Sequence, residues 1–244
     1  MLKIFVDFDG TITLRDVGDA MFERFGGSRC TESIEEYRQE RISAAECFRR
    51  ESAACGIVNL PELDAFLDAQ EIDPTFSPFV HYCTTAEHEL VVLSDGMDYY
   101  IDRILRRQGL SQVRFYSNHL RLEPVDSGTK VRFVPEFPFT DEVCDRCACC
   151  KRNHMLSMTG DADIIAYIGE GYSDRCPARF ADLVFAKDEL LRYCQGENIS
   201  YFEYQSFADV QRRLQELLSV PGKKRLLKKR RQAELARRDV FLGG

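Results

Sequence analysis

Two aspartates one residue apart, Asp7 and Asp9, close an apolar run and are followed by Gly10 and Thr11. Side chains alternate faces along a strand, so both carboxylates leave the end of a strand over residues 2–6 pointing the same way. Like charges that close repel, and the pair is sensible only beside something positive. A hard divalent cation such as Mg²⁺, which prefers oxygen ligands, meets that need. One carboxylate can then attack phosphorus while the other handles the leaving-group proton. The chemistry implied is phosphoryl transfer, with Asp7 as nucleophile and Asp9 as general acid and base. Gly10 lets the chain turn sharply and brings backbone amides near a phosphate. An Asp-x-Asp pair is also a common solvated turn. The apolar residues before Asp7 argue for a buried strand instead.

Three further segments continue the pattern. Leu90-Val91-Val92-Leu93-Ser94-Asp95-Gly96 is an apolar strand ending in a hydroxyl residue, Lys151 follows a cysteine-rich loop, and Ile168-Gly169-Glu170-Gly171-Tyr172-Ser173-Asp174 places acidic residues after another strand. With Asp7-Phe8-Asp9-Gly10-Thr11, these resemble in order the four signatures of the haloacid dehalogenase superfamily of phosphatases. Within it, the chain looks most like the phosphoserine-phosphatase-like branch. The cysteine-rich segment makes it similar to the methionine-salvage phosphatases that act on 2-hydroxy-3-keto-5-methylthiopentenyl phosphate.

The resemblance implies a Mg²⁺-dependent phosphomonoesterase acting on a small phosphorylated metabolite through an aspartyl-phosphate. It assigns Mg²⁺ to Asp7 by side chain, to Asp9 by its backbone carbonyl, and to Glu170 and Asp174. Thr11, Ser94, Asp95, Gly96 and Lys151 become the phosphate-binding set. Ser94 offers its hydroxyl, and the amides of Asp95 and Gly96 are expected to open a helix toward the anion. Lys151 offsets charge on Asp7 and the phosphoryl group, with Lys130 the other lysine in the interval. The family pattern has Asp where this chain has Glu170. One extra methylene matters for a strict octahedron at about 2.1 Å, so Glu170 can ligate directly, through water, or leave Asp174 as the main protein ligand. Asp16 has two readings: an acidic group that reads a substrate amine, or a helix N-cap. Arg15, Arg49 and Arg50 are candidates to meet an anionic group.

Alternation of strands and helices implies an α/β fold with a doubly wound parallel sheet. Strands are expected at 2–6, 90–93, 113–116, 164–168, 183–185 and 201–204, and helices at 99–108, 188–193 and 207–218. Ligands of such sheets sit at the carboxyl ends of strands, near the switch point. Between the first two signatures, residues 16–25, 31–41, 44–54, 60–69 and 76–86 read as short helices. Residues 15–75 are therefore expected to form a helical cap on a core of residues 1–14 and 76–222. A hairpin or flap is expected around residues 130–133.

With 244 residues, 44% of them hydrophobic, the chain can bury one sizeable core and a small accessory unit. The first apolar run breaks at Asp7, too early for a signal-peptide core, and no stretch could span a bilayer, so a cytoplasmic protein with no membrane partner is expected. Of ten cysteines, Cys30, Cys47, Cys55, Cys83 and Cys194 lie in helical patterns and read as core. Cys144, Cys147, Cys149 and Cys150 read either as a structural metal site, with His154 as an extra ligand, or as packed or redox-sensitive thiols. Residues 223–239 hold nine Lys or Arg against Glu234 and Asp239, so this tail carries +7 and the rest of the chain −14. An acidic body argues against nucleic acid as the main partner. The tail at 223–244 reads as a polyanion-binding arm or as a terminal helix with a solvated face.

Overall fold

The structure, a computed structural model, describes residues 1–125, 128–141 and 146–219. The chain opens with strand β1 (Leu2–Val6), then helices α1 (Val17–Gly26), α2 (Ser28–Arg38) and α3 (Ala44–Cys55). A two-residue strand β2 (Val58–Asn59) and helices α4 (Leu60–Asp68) and α5 (Phe76–Thr85) follow. Next come β3 (Glu89–Met97), α6 (Asp98–Arg107), β4 (Arg114–Pro124), β5 (Lys130–Glu136) and α7 (Lys151–Ser157). The last described elements are β6 (Ile164–Gly169), α8 (Arg175–Ala178), β7 (Leu183–Ala186), α9 (Asp188–Gly196), β8 (Phe202–Glu203) and α10 (Phe207–Leu218).

Among the described residues the strands form one sheet in the order β2-β5-β4-β3-β1-β6-β7-β8. From β4 to β8 all neighbours run parallel, whereas β5 joins β4 antiparallel and β2 joins β5 antiparallel. The expected parallel sheet is therefore extended by a hairpin, the one anticipated around 130–133. Central strands are apolar without alternation because helices cover both faces. Ile4, Val6, Val92 and Ile168 pack toward Phe76, Ile101, Ile104 and Phe207 on one side. Phe5, Val91, Leu93 and Ile165 pack toward Met155, Leu190 and Cys194 on the other. Each such burial stabilises by roughly 1.5–3 kcal/mol, which is how a doubly wound sheet holds its strand ends rigid.

Helices α1, α2 and α3 pack on one another, and α3 also packs on β5. Local signals start them: Asp16 accepts from the Asp19 amide at 2.7 Å and Ser43 from the Glu46 amide at 3.2 Å. The segment 15–75 is not wholly helical, because β2 pairs Val58 with Val131 and Asn59 with Lys130. Helix α4 lies apart from α1–α3 against α6, where Arg103 bridges Asp64 and Asp68. No helix among the described residues is long and apolar enough to cross a membrane. The basic tail lies outside the described residues.

Candidate active site

Strands β3, β1 and β6 are neighbours, so the segments at their carboxyl ends bring Ser94, Asp7 and Glu170 to one place. A cavity of about 400 Å³ opens there, and helices α2 and α3 border its other side with Tyr37, Phe48 and Glu51.

Lys151, at the start of α7, is 1% exposed and lies beneath the cavity. Its Nζ donates to Asp7 Oδ1 at 2.6 Å, to Asp174 Oδ1 at 2.7 Å and to Ser173 Oγ at 2.8 Å. Burial alone would lower the Lys151 ammonium, but Asp174 and Asp7 hold it well above its ordinary range. Burial and the Asp174 charge push the Asp7 carboxyl up, with Lys151 pulling the other way. Lys130, the rival lysine, sits exposed on β5.

Asp9 is held on both oxygens. Its Oδ1 accepts from the Val17 and Gly18 amides at 3.0 and 3.3 Å, the first turn of α1. Its Oδ2 accepts from Tyr100 Oη at 2.7 Å and Ser94 Oγ at 3.4 Å. Burial raises this carboxyl, against the Tyr100, Val17 and Gly18 hydrogen bonds. A raised carboxyl suits a group that must carry a proton part of the time. Gly96 is required by this contact: a Cβ there would collide with Tyr100 Oη and stand 2.6 Å from Asp9 Oδ2.

Several expected roles change. Thr11 does not line the cavity; its hydroxyl donates to Asp7 Oδ2 at 3.3 Å. Asp95 and Gly96 do not open a helix, because β3 runs on to Met97 with a shifted register against β4. Instead the Asp95 carboxylate accepts from the Ala148 and Cys149 amides at 2.9 and 2.7 Å, tethering the loop that ends at Lys151. Asp174 is 0% exposed, and donors occupy both its oxygens: Lys151 and Tyr167 on Oδ1, the Glu170 and Gly171 amides on Oδ2. It anchors Lys151 and the loop, and leaves Glu170 as the carboxylate facing the cavity. Asp16 lines the cavity while capping α1, so its N-cap role is realised. Arg49 stacks on Phe137 and Arg50 pairs with Glu46 and Glu36, so neither faces the cavity.

Mg²⁺ can be tested against these donors. Asp7 and Glu170 both line the cavity, and Glu170 Oε1 lies 2.9 Å from where a Cβ on Gly10 would stand, beside the Asp7–Gly10 turn. Among the described residues no group of three or more His, Cys, Asp or Glu side chains is arranged to hold a metal. One or two carboxylates with waters and substrate phosphate is how Mg²⁺ is usually bound, so an all-oxygen pair fits. Burial, then Asp174 and Asp188, raise Glu170 to about 7. Cys149 and Cys150 are buried, and His154 stacks on Tyr116 at 4.3 Å. Cys144 lies outside the described residues.

Sequence reasoning missed Tyr100, Tyr167 and Glu51. Only Glu51 left a usable signal: Ala44, Cys47, Glu51 and Cys55 form the buried stripe of α3, with an acid inside it. Burial first and Asp19 second push Glu51 from 4.5 up to about 8. Between those values the unfolded chain releases a proton the folded chain keeps, so stability falls as pH rises and levels above about 8. Glu51→Gln, neutral throughout, should match wild type in unfolding free energy near pH 4 and exceed it at pH 8.5 by a few kcal/mol in order of magnitude, with the thermal midpoint moving the same way. Parallel curves across that range would contradict the assignment.

Known proteins resemble the chain in sequence and in fold. The chain is 28% identical over 229 residues to Pdp3-interacting factor 1 of Schizosaccharomyces pombe, covering 88% of this chain and 96% of that one. It is 29% identical over 226 residues to 2-hydroxy-3-keto-5-methylthiopentenyl-1-phosphate phosphatase of Bacillus cereus (strain ATCC 10987 / NRS 248), covering 90% and 98%. Among solved structures, a phospho-aspartyl intermediate analogue of phosphoserine phosphatase superposes with a TM-score of 0.65 at 15% identity, covering 86% of this chain and 97% of that one. A substrate-bound phosphoserine phosphatase complex gives 0.63 at 15%, with the same coverage. These likenesses show the haloacid dehalogenase fold, and the model of the Putative Phosphatase family matches residues 2–191, so the chain belongs to that family of phosphatases.

Proposed function

We propose that the chain is a Mg²⁺-dependent phosphomonoesterase that cleaves small phosphorylated metabolites by way of an aspartyl-phosphate on Asp7. One observation carries the reading: Asp7 faces a cavity with a buried ammonium 2.6 Å behind it and Asp9 beside it in the same lining. The Asp7 carboxylate attacks phosphorus and the bond to the alcohol oxygen breaks. Asp9 gives its proton to the departing oxygen, then takes one from the water that cleaves the acyl phosphate. Ser94 is placed to orient Asp9, and Lys151 offsets charge that gathers on Asp7 and the phosphoryl oxygens. Asp7, Glu170 and the Asp9 carbonyl would hold Mg²⁺, which when bound supplies positive charge to the same oxygens. Residues 15–75 serve as the cap that shields the site.

Hydrolysis of p-nitrophenyl phosphate should require Mg²⁺, vanish with a chelator and return on adding the metal. Turnover equal with and without chelator would remove the metal from the reading. The relatives' names make 2-hydroxy-3-keto-5-methylthiopentenyl-1-phosphate the first metabolite to test and phosphoserine the second.

A further inference from the structure

Tyr100 is the third residue of α6 and is 0% exposed, with its ring 6.1 Å from that of Phe8. A core position asks only for a ring. The space around the hydroxyl shows that more than a ring is kept there. Two glycines leave room for it: a Cβ on Gly96 would collide with Tyr100 Oη, and one on Gly18 would stand 3.0 Å from it. They belong to different elements, β3 and α1. A buried phenol needs some partner, and a backbone carbonyl would serve. Here the hydroxyl donates instead to Asp9 Oδ2 at 2.7 Å, and both residues border the cavity.

The oxygen that Tyr100 holds is the one free to carry a hydrogen. Amides can only donate, so a proton on Asp9 Oδ1 would displace Val17 or Gly18. Oδ2 is met by two hydroxyls, Tyr100 and Ser94, and hydroxyls can turn. The Ser94 contact is the longer at 3.4 Å, and its single hydrogen is the one a phosphoryl oxygen also claims. Once that hydrogen goes to the ester, Tyr100 is the hydroxyl left on Oδ2.

We propose that Tyr100 is a positioning residue for proton transfer, which seats Asp9 Oδ2 toward the leaving oxygen and steadies the charge left there when the proton departs. The inference rests on the phosphomonoesterase reading. In the step concerned an Asp7 oxygen bonds to phosphorus, and the bond from phosphorus to the alcohol oxygen breaks with its electron pair on that oxygen. The proton on Oδ2 moves to the same oxygen, and Tyr100 keeps its own proton throughout. A hydrogen bond to a carboxylate is stronger than one to a protonated carboxyl oxygen. The Tyr100 contact therefore tightens along the reaction, which lowers the barrier. Its benefit follows the need of the departing oxygen for a proton: an alkoxide needs one, and a nitrophenolate leaves without.

The test compares kcat/KM for ethyl phosphate and p-nitrophenyl phosphate in wild type and Tyr100→Phe. Loss of the hydroxyl should lower the ethyl ester by roughly tenfold to a hundredfold more than the aryl ester, the scale of one hydrogen bond to a charged group. A hydroxyl that merely fills the core would lower both by the same factor when removed. Gly18→Ala crowds Tyr100 Oη while favouring helix α1, and should show the same selectivity on a smaller scale. Equal losses on the two esters in Tyr100→Phe, or no loss, overturn the proposal. Should that variant fail to fold, Gly18→Ala decides by the same comparison. If wild type hydrolyses neither ester, the phosphatase reading falls and this inference with it. A wild type that cleaves the aryl ester alone has no working acid for Tyr100 to seat, which removes the inference and leaves the phosphatase.

Discussion

Asp7→Asn should abolish turnover of p-nitrophenyl phosphate, a loss of at least about 10³-fold in kcat, while the protein stays folded. An amide has nearly the shape of the carboxylate but no anionic oxygen to attack phosphorus. The fold should not suffer, because burial and Asp174 already make the Asp7 charge unfavourable. Lys151 would still keep Asp174 at 2.7 Å and Ser173 at 2.8 Å. A thermal midpoint equal to or above that of wild type is therefore expected, the usual relation where an active-site charge is held against its own solvation. Calorimetry beside the assay checks both halves. Activity comparable to wild type would rule out Asp7 as the nucleophile.

Lys151→Met should have the opposite balance, costing stability as well as activity. The ammonium is the cation that joins two buried carboxylates, Asp7 at 4% and Asp174 at 0% exposure. Removing one partner of a buried ion pair costs about 3–5 kcal/mol, which for a domain of this size lowers the midpoint by something on the order of 10 °C. Lys151→Arg should not restore turnover, since a planar fork cannot reproduce three donations from one nitrogen. Because the stability loss comes from carboxylates left charged, it should shrink as pH falls and they take up protons. An unmoved midpoint at neutral pH would mean that Lys151 does not balance these charges.

The sheet was legible because its strands are apolar on both faces, a pattern few other structures produce. The expected helix at 207–218 coincides with α10, and the strand at 164–168 differs from β6 by one residue. The first signature, Ser94 and Lys151 were legible too, since each is a polar residue at the end of an apolar or helical pattern. What stayed hidden depends on packing across elements. Nothing local to Asp174 tells that two amides, a lysine and a tyrosine saturate it. Asp95 likewise grips a loop more than fifty residues away, so its side chain and not its amide does the recorded work. The helix expected at 99–108 is α6 within one residue, but the Asp95 and Gly96 amides do not open it, because a strand irregularity, which has no periodic signature, carries β3 on to Met97.

The two amides that hold Asp9 belong to α1, the first of the three helices packed on one another, not to the sheet. On the reading proposed above, the proton-carrying acid is thus seated by a helix, whereas the nucleophile is seated by the end of the sheet, where the Asp7 amide donates to the Ile168 carbonyl at 2.9 Å.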